Sequence, residues 1–187
     1  PNYGKMAEED IYSIIAYLRT LEPIESHPEK SKPDFPMNFI LNTIPKKAEF
    51  SDIPPKSDQV NYGRYVVNAA ACAECHTNKV KGKIVGEDFA GGFEFLFPDG
   101  SVLKSSNITP HETGIGSWSK EQFIDRFKAY ADSSYTPPKF LPGEFQTVMP
   151  WTLYSHMEEE DLESIYYYLQ SLQPVEQVNV VFTPAED

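Results

Sequence analysis

The amino-acid sequence has little of several residue types, and each shortage disfavours a class of function. It contains only two cysteines and four histidines in 187 residues, without a second close pair of ligands of the kind a zinc site needs. No apolar run approaches the ~18 residues of a membrane span, so no transmembrane segment is expected in this chain. Sixteen Lys and Arg stand against 28 Asp and Glu. This argues against nucleic acid or an anionic lipid surface as a partner.

The formal net charge of −12 favours a partner with a basic face, the alternative being that acidity only keeps the protein soluble. Glycine is also scarce, with ten residues against sixteen prolines, which predicts extended connections rather than many hairpins. Residues 24–58 are rich in proline and are predicted to form a semi-rigid connector. Within it, residues 35–41 are too apolar for a free linker, so we expect a short helix packed on a domain.

Both cysteines lie in one motif, Cys72-Ala73-Glu74-Cys75-His76, which has the C-x-x-C-H form that attaches a c-type haem. Two thiols three positions apart can each add to a vinyl group of one porphyrin. The histidine that follows the second thiol then lies under the iron and can serve as its proximal ligand. The motif therefore predicts one covalently bound haem c.

Other interpretations of the motif fit less well. A thioredoxin-like C-x-x-C follows a strand within a βαβ pattern, whereas Cys72 ends a helix-like run over residues 59–71. A disulfide across so short a loop would stabilise the fold poorly. A chance C-x-x-C followed by an ordinary histidine is the remaining alternative.

An internal repeat links the two ends of the chain. Residues 6–23 align with residues 157–174 at a constant offset (157 − 6 = 151), and about ten of the eighteen positions are identical. Each copy predicts an amphipathic helix, over residues 7–21 and 158–172. If the second copy closes the haem domain, the first closes another such domain upstream. The alternative is two unrelated amphipathic helices.

The middle of the chain predicts a hairpin and a further helix. Residues 93–97 and 101–103 have strand character and flank the turn Pro98-Asp99-Gly100. Ser119 is placed to cap a helix, with Gln122 three positions later as in a capping box. Residues 133–148 are predicted to be irregular.

Four methionines and two histidines were weighed as the second axial ligand of the iron. Met149 lies in a loop before the closing helix, and Pro150 favours an extended backbone there, which suits a ligand loop. His156 is the main rival. Less favoured are Met6, Met37, Met157 and His111.

The order of these features resembles the class I cytochromes c. It is more narrowly similar to bacterial multi-haem cytochromes that serve as electron-accepting subunits of membrane-bound dehydrogenases. The residues that carry this resemblance are Cys72–Thr77, Asn107-Ile108-Thr109-Pro110, Thr113–Gly116 with Trp118 and Ser119, Met149-Pro150, and Tyr168-Leu169.

The resemblance implies a mainly α, haem-wrapping domain over residues 59–175, with a small β-hairpin insertion and an N-terminal arm. Residues 1–23 would be the last helix of a truncated preceding cytochrome c domain, and residues 176–187 a C-terminal tail. It also implies thioether links at Cys72 and Cys75 and axial ligation by His76 and Met149. Near the haem edge or propionates it places Asn107, Ile108, Thr109, Pro110 and Trp118.

The expected function is single-electron transfer between redox proteins rather than catalysis. Two other classes remain, a haem enzyme such as a peroxidase or reductase, and a haem-based sensor with a displaceable sixth ligand. Covalent haem attachment normally occurs outside the cytoplasm, so we expect a periplasmic or otherwise extracytoplasmic protein. Because the chain opens with Pro1 and shows no signal peptide, we also expect a mature or trimmed piece.

Overall fold

The secondary structure is mainly helical. The computed structural model describes residues 2–44 and 46–185, and the chain divides into two units, residues 1–53 and 54–187. The helices are α1 (Glu8–Leu18), α2 (Met37–Ile40), α3 (Gln59–Ala69), α4 (Cys72–His76), α5 (Lys120–Lys128), α6 (Trp151–Tyr154) and α7 (Glu159–Gln170). The strands are β1 (Lys79–Val80), β2 (Lys83–Ile84), β3 (Glu94–Leu96), β4 (Val102–Lys104) and β5 (Phe182–Thr183). In the described residues, no helix is both long and apolar enough for a membrane crossing.

Helix α1 is the main element of the first unit. Three acidic residues in its first turn favour the helix through the positive end of its dipole. The chain before the helix pairs with residues 49–51, where the amide of Glu49 donates to the carbonyl of Gly4 at 2.8 Å. Met6 and Ala7 are buried, but no residue of α1 itself is buried. The apolar stripe that predicted this helix therefore faces solvent.

The apolar part of the connector forms the expected short helix, α2, followed by a 3-10 turn over Leu41–Thr43. Its side chains are exposed instead of packing on a domain, with Phe35 at 80% and Phe39 at 64% exposure. The two rings contact each other edge to face at 6.0 Å. Local pairing of the two aromatic rings thus replaces the expected burial.

The core of the second unit forms where α3, α5 and α7 meet. Helix α7 contributes Leu162, Ile165 and Leu169, which are at most 3% exposed, and α3 and α5 pack apolar side chains against it. At the crossing of α3 and α7, a Cβ on Gly63 would lie 1.9 Å from the carbonyl oxygen of Ser164. Only glycine allows the two helices to approach this closely.

The predicted hairpin is present, and a third strand extends it. Strands β3 and β4 pair antiparallel, with Phe95 opposite Leu103. Strand β5, from the segment expected to be a tail, pairs with the other edge of β4, with Leu103 opposite Phe182. A separate antiparallel pair, β1 and β2, follows α4. Sequence periodicity could not reveal β5, because two residues carry no pattern.

Helix α5 begins with the predicted capping box. The Ser119 side chain accepts from the amide of Gln122 at 3.2 Å, and the Gln122 side chain accepts from the amide of Ser119 at 2.8 Å. Residues 133–148, which follow the helix, are irregular as expected. They are held by a hydrogen bond from the amide of Gly143 to Asp99 at 2.8 Å, next to the turn between β3 and β4.

Candidate haem-binding site

Helix α4 carries the C-x-x-C-H motif directly after α3. Ala71 separates the two helices with a left-handed backbone, φ 56°, so the chain turns before Cys72. Cys72 packs against the hydrophobic core, whereas Cys75 is exposed. Burial raises the pKa of Cys72 to about 12, whereas partial desolvation of the Cys75 sulfur and the neighbouring Glu74 carboxylate raise the pKa of Cys75. Both sulfurs are therefore neutral thiols at neutral pH.

The imidazole of His76 is held by one hydrogen bond. Its Nδ1 lies 2.8 Å from the carbonyl oxygen of Ser106. Because a carbonyl oxygen only accepts, Nδ1 carries the hydrogen and Nε2 keeps its lone pair. Burial lowers the pKa of His76, opposed by this hydrogen bond, so the ring is neutral. A neutral imidazole with Nδ1 bonded to a carbonyl is the usual state of a histidine that ligates a metal through Nε2.

Hydrogen bonds from residues 88–92 fix the backbone at His76 and Thr77. The carbonyl of His76 accepts from the amide of Gly91 at 2.7 Å. Thr77 is 1% exposed, and its hydroxyl accepts from the amide of Phe89 at 3.2 Å. Gly91 has a φ of 74°, and a Cβ there would lie 2.4 Å from the carbonyl oxygen of Ser105. This close approach brings His76 and the Ser105–Ser106 backbone together.

The Asn107–Pro110 segment is held by hydrogen bonds within the protein. The Asn107 amide nitrogen donates to the hydroxyl of Thr113 at 3.0 Å and to the carbonyl of Val175 at 2.9 Å. Its oxygen accepts from the amide and hydroxyl of Thr109, at 2.9 and 2.8 Å. Both side-chain amide hydrogens and both lone pairs of the side-chain oxygen therefore take part in hydrogen bonds. Through these bonds, Asn107 and Thr109 connect the Asn107–Pro110 segment to the chain after α7.

The other expected residues of this region differ in burial. Ile108 and Trp118 are partly buried and pack against the hydrophobic core, and Pro110 is half-buried. The carbonyl of Trp118 accepts from the hydroxyl of Tyr166 at 2.9 Å. Contact of these residues with haem remains a prediction.

Met149 is half-buried and packs against the same hydrophobic core as Cys72. Its carbonyl accepts from the amide of Trp151 at 2.8 Å. Trp151 is the first residue of α6 and follows Met149 after Pro150. At the other end of α6, the hydroxyl of Tyr154 donates to the carbonyl of Ala70 at 2.7 Å. This bond ties the Met149 loop to the backbone two residues before Cys72.

The rival ligands lie elsewhere. Met37 is 47% exposed and Met6 is buried in the first unit, whereas Met157 packs against the core at the start of α7. His156 is exposed, and His111 bonds the hydroxyl of Thr113 at 3.0 Å. Of these candidates, Met149 and Met157 both lie outside the helices and are half-buried on the core that Cys72 contacts, and Met157 lies two residues before α7.

Residues 60–173, more than half of the chain, match the family model described as Cytochrome c. The chain belongs to the cytochrome c family. The family carries covalently bound haem c and functions in electron transfer, so both apply to this cytochrome domain.

Several known proteins are similar to this cytochrome c chain. The cytochrome subunit of fructose dehydrogenase from Gluconobacter japonicus is 35% identical over 63% of this chain and 22% of its own length. The cytochrome c subunit of alcohol dehydrogenase (quinone) from Gluconacetobacter polyoxogenes is 33% identical over 63% of the chain and 23% of its own length. That of gluconate 2-dehydrogenase from Pantoea cypripedii is 23% identical over 98% of the chain and 44% of its own length. The chain thus spans under half of each relative.

The residues present fit a covalent haem. The motif offers two neutral thiols for thioether formation and an imidazole with an available Nε2, and a thioether lies on the same core. The indole Nε1 of Trp151 is buried and has no hydrogen-bond partner within the described residues. An unpaired buried donor beside a methionine loop is suited to a ligand that brings its own acceptors.

Sequence reasoning missed three groups in this cytochrome domain. The Ser106 carbonyl could not be found, because backbone atoms carry no side-chain signal and the contact spans thirty residues. Tyr154 and Trp151 lie close to Met149 in the sequence. Two aromatic residues so near Met149-Pro150 could have been predicted to belong to the site. Their roles depend on contacts with Ala70 and α5, which no local pattern reveals.

Proposed function

We propose that this chain binds one haem c through thioether links at Cys72 and Cys75, with His76 and Met149 as axial ligands, and passes single electrons between redox proteins. The observation that carries the proposal is the hydrogen bond from His76 Nδ1 to Ser106, since it orients the ring and leaves Nε2 for iron. Met149 on the same core supplies a soft sulfur ligand, which favours ferrous iron and raises the potential.

The family's haem supplies the one-electron chemistry, and the protein sets its conditions. Cys72 and Cys75 would hold the group permanently. The bonds of Thr77 and Gly91 fix the backbone that carries His76. Tyr154 holds the Met149 loop near the motif, and the aromatic side chains around α5 and α6 exclude water. With His76 and Met149 both holding the iron, the haem would have no free position for a substrate.

We also propose that α1 is the last helix of another cytochrome c domain that precedes this one in the full-length protein. Ile14 and Leu18 of α1 are 41% and 57% exposed. Their repeat equivalents in α7, Ile165 and Leu169, are 3% and 2% exposed. The same apolar pattern is thus buried in the core in α7 and exposed to solvent in α1. Residues 24–58 would then connect two haem domains.

A dehydrogenase complex is the proposed setting. The relatives are named as cytochrome subunits of dehydrogenases, and the match to the gluconate 2-dehydrogenase subunit extends over 98% of the chain, so it includes the first unit. We propose that the chain accepts electrons in such a complex outside the cytoplasm, in the periplasm of a bacterium. The net charge of −12 favours a basic docking face on a redox partner.

The haem stoichiometry and attachment can be tested directly. Intact mass and the pyridine haemochrome spectrum of the purified chain are expected to give one covalent haem per chain. Replacing both cysteines, C72A with C75A, is expected to abolish covalent attachment, whereas each single variant retains one thioether link. A haem that survives denaturing extraction in the double variant would contradict the assignment.

Carbon monoxide separates electron transfer from the enzyme and sensor alternatives. An iron ligated on both sides by the protein is expected to be inert to carbon monoxide in the ferrous form at neutral pH. Rapid, complete binding would show an open or easily displaced sixth position and would favour a peroxidase, reductase or gas sensor.

A further inference from the structure

The segment that precedes Met149 has little buried surface to hold it in place. Residues 133–148 contain no helix or strand, and almost all of them are exposed, with Leu141 at 68%. A segment with so few buried contacts opens at a low cost in free energy. On the other side of the methionine, the chain is anchored by the bond from Tyr154 to the Ala70 carbonyl. The position of Met149 therefore also depends on what holds the chain before it.

A turn in this segment presents one backbone amide to the rest of the domain. The amide of Glu144 donates to the carbonyl of Leu141 at 3.1 Å, with Pro142 and Gly143 between them. Gly143 has a φ of 80°, and a proline followed by such a glycine is typical of a type II turn. The Glu144 side chain also accepts from the amide of Leu141 at 2.9 Å. These bonds leave the amide of Gly143 for an acceptor outside the turn.

Asp99 supplies that acceptor from the turn between β3 and β4. Its Oδ2 accepts from the amide of Gly143 at 2.8 Å, and its Oδ1 accepts from the amide of Ser101 at 3.0 Å. The hairpin turn is closed by two further bonds of 2.9 Å, from the Phe97 amide to the Ser101 carbonyl and from the Gly100 amide to the Phe97 carbonyl. The carboxylate thus joins a hydrogen-bonded hairpin to the loop before Met149.

The charge of Asp99 strengthens this connection. The hydrogen bonds from the Gly143 and Ser101 amides lower the pKa of the carboxyl, so it is ionised at neutral pH. A hydrogen bond to an ionised acceptor is stronger than one between neutral groups. A ring contact joins the same two regions, because Phe145 packs edge to face on Phe182 of β5 at 5.6 Å. The three-stranded sheet therefore contacts the segment at two points shortly before Met149.

We propose that Asp99 is a positioning residue that keeps Met149 on the haem iron by holding the preceding loop against the β3–β4 hairpin. This inference rests on the proposed function, in which Met149 is the sixth ligand. Asp99 acts through the amide of Gly143 and not on the iron itself. Without this bond the loop is expected to open more often, so the methionine sulfur leaves the iron more often.

Binding of imidazole to the ferric holoprotein measures this opening, because imidazole takes the sixth position only after the sulfur has left. At high imidazole concentration, the rate of binding approaches the rate at which the sulfur leaves. Asp99→Ala is expected to raise this limiting rate several-fold. Asp99→Asn keeps one accepting oxygen and is expected to give a rate between those of the native protein and the alanine variant.

Asp132→Ala is the matched control for the loss of an aspartate next to the same loop. Asp132 accepts from the amide of Ser134 at 2.7 Å, a bond within its own turn that connects the loop to no other element. This variant is expected to keep the native limiting rate. An unchanged rate in Asp99→Ala, or an equal rise in Asp132→Ala, would overturn the proposal.

Amide hydrogen exchange in the native holoprotein provides a second test, which decides if Asp99→Ala does not fold. After correction for intrinsic rates, the amide of Gly143 is expected to exchange more slowly than that of Thr147, which has no acceptor within the described residues. Equal exchange of the two amides would overturn the proposal. Failure of the proposed ligation appears separately, as a native oxidised spectrum without the sulfur-to-iron charge-transfer band.

Discussion

At the scale of single residues, the candidate site depends on groups whose hydrogen bonds are already satisfied by the protein. His76 is oriented by the Ser106 carbonyl, and Asn107 uses its whole amide to join Thr109, Thr113 and Val175. Such groups are ordered before any ligand arrives. A site of this kind rearranges little when the iron changes oxidation state, and electron transfer requires such a small rearrangement.

Replacement of Met149 by alanine is expected to keep the covalent haem and open the sixth position. The midpoint potential is expected to fall, because a soft thioether that favours ferrous iron is lost. Ferrous variant protein is then expected to bind carbon monoxide, measured by absorbance after mixing. Met37→Ala is the control, since Met37 is 47% exposed in the first unit. If the Met149 variant kept its midpoint potential and did not bind carbon monoxide, the sixth ligand would be a residue other than Met149.

Replacement of Asn107 by alanine is expected to destabilise the domain by about 2 kcal/mol, because the buried Thr109 amide loses its acceptor at a cost of ~1–3 kcal/mol. The Val175 carbonyl keeps the Thr109 hydroxyl as a donor at 3.4 Å. Denaturant titration of the holoprotein measures this. Asn61→Ala is the control, because Asn61 is exposed and its side chain donates to Asp58 at the surface; its expected effect is within about 0.5 kcal/mol. If the Asn107 variant lost no more free energy of unfolding than the Asn61 control, the hydrogen bonds of Asn107 would not stabilise the domain.

At the scale of elements, helices α3 and α7 form the frame on which the site is built. Their crossing at Gly63 sets the position of α3, and α3 leads through Ala71 into the haem motif. Helix α6 then connects the Met149 loop back to Ala70 through Tyr154. The two sides of the site are thus positioned by elements far apart in the sequence.

Gly63→Ala tests this frame. Alanine gains ~1 kcal/mol of helix propensity over glycine, but its Cβ would lie 1.9 Å from the Ser164 carbonyl oxygen. Overpacking costs ~1–3 kcal/mol and more for a rigid backbone contact, so a net loss of about 2 kcal/mol is expected in thermal or denaturant unfolding. Gly4→Ala, where the nearest atom is 3.7 Å away, is the control and is expected to be near neutral. A stabilised Gly63 variant would contradict the helix crossing.

Elements that depend on local sequence were predictable, and elements that depend on distant contacts were not. The capping box of α5, the hairpin of β3 and β4 and the helices at both ends follow from periodicity and turn residues. Strand β5 depends on its pairing with β4, and the exposure of Phe35 and Phe39 could not be foreseen because an apolar segment does not show whether it packs on a domain. The motif predicts the roles of the two cysteines and the histidine, because haem attachment imposes a fixed spacing. The Ser106 carbonyl and the unpaired Trp151 nitrogen required the folded chain.

At the scale of the whole molecule, the repeat argues for a protein built from more than one haem domain. Helix α1 presents to solvent the stripe that α7 buries. Exposed apolar stripes on amphipathic helices are characteristic of surfaces that another element covers. We therefore propose that α1 is the closing helix of a cytochrome c domain that precedes the one matched over residues 60–173.

Hydrogen–deuterium exchange can test this organisation. In this chain, amides of α1 are expected to exchange much faster than those of α7, because α1 has no buried side chain and α7 has four. In the full-length protein, α1 is expected to approach the protection of α7. Helix α7 serves as the internal control in both samples. Equally fast exchange of α1 in the full-length protein would show that no upstream domain covers it.

The most direct test of the central claim is the optical spectrum of the purified oxidised protein, extended into the near infrared. The account predicts a low-spin haem with the sulfur-to-iron charge-transfer band of histidine–methionine ligation, and loss of that band in Met149→Ala. A low-spin spectrum without the band would indicate a nitrogen ligand such as His156. A high-spin spectrum would contradict the electron-carrier assignment, because it would show an open iron.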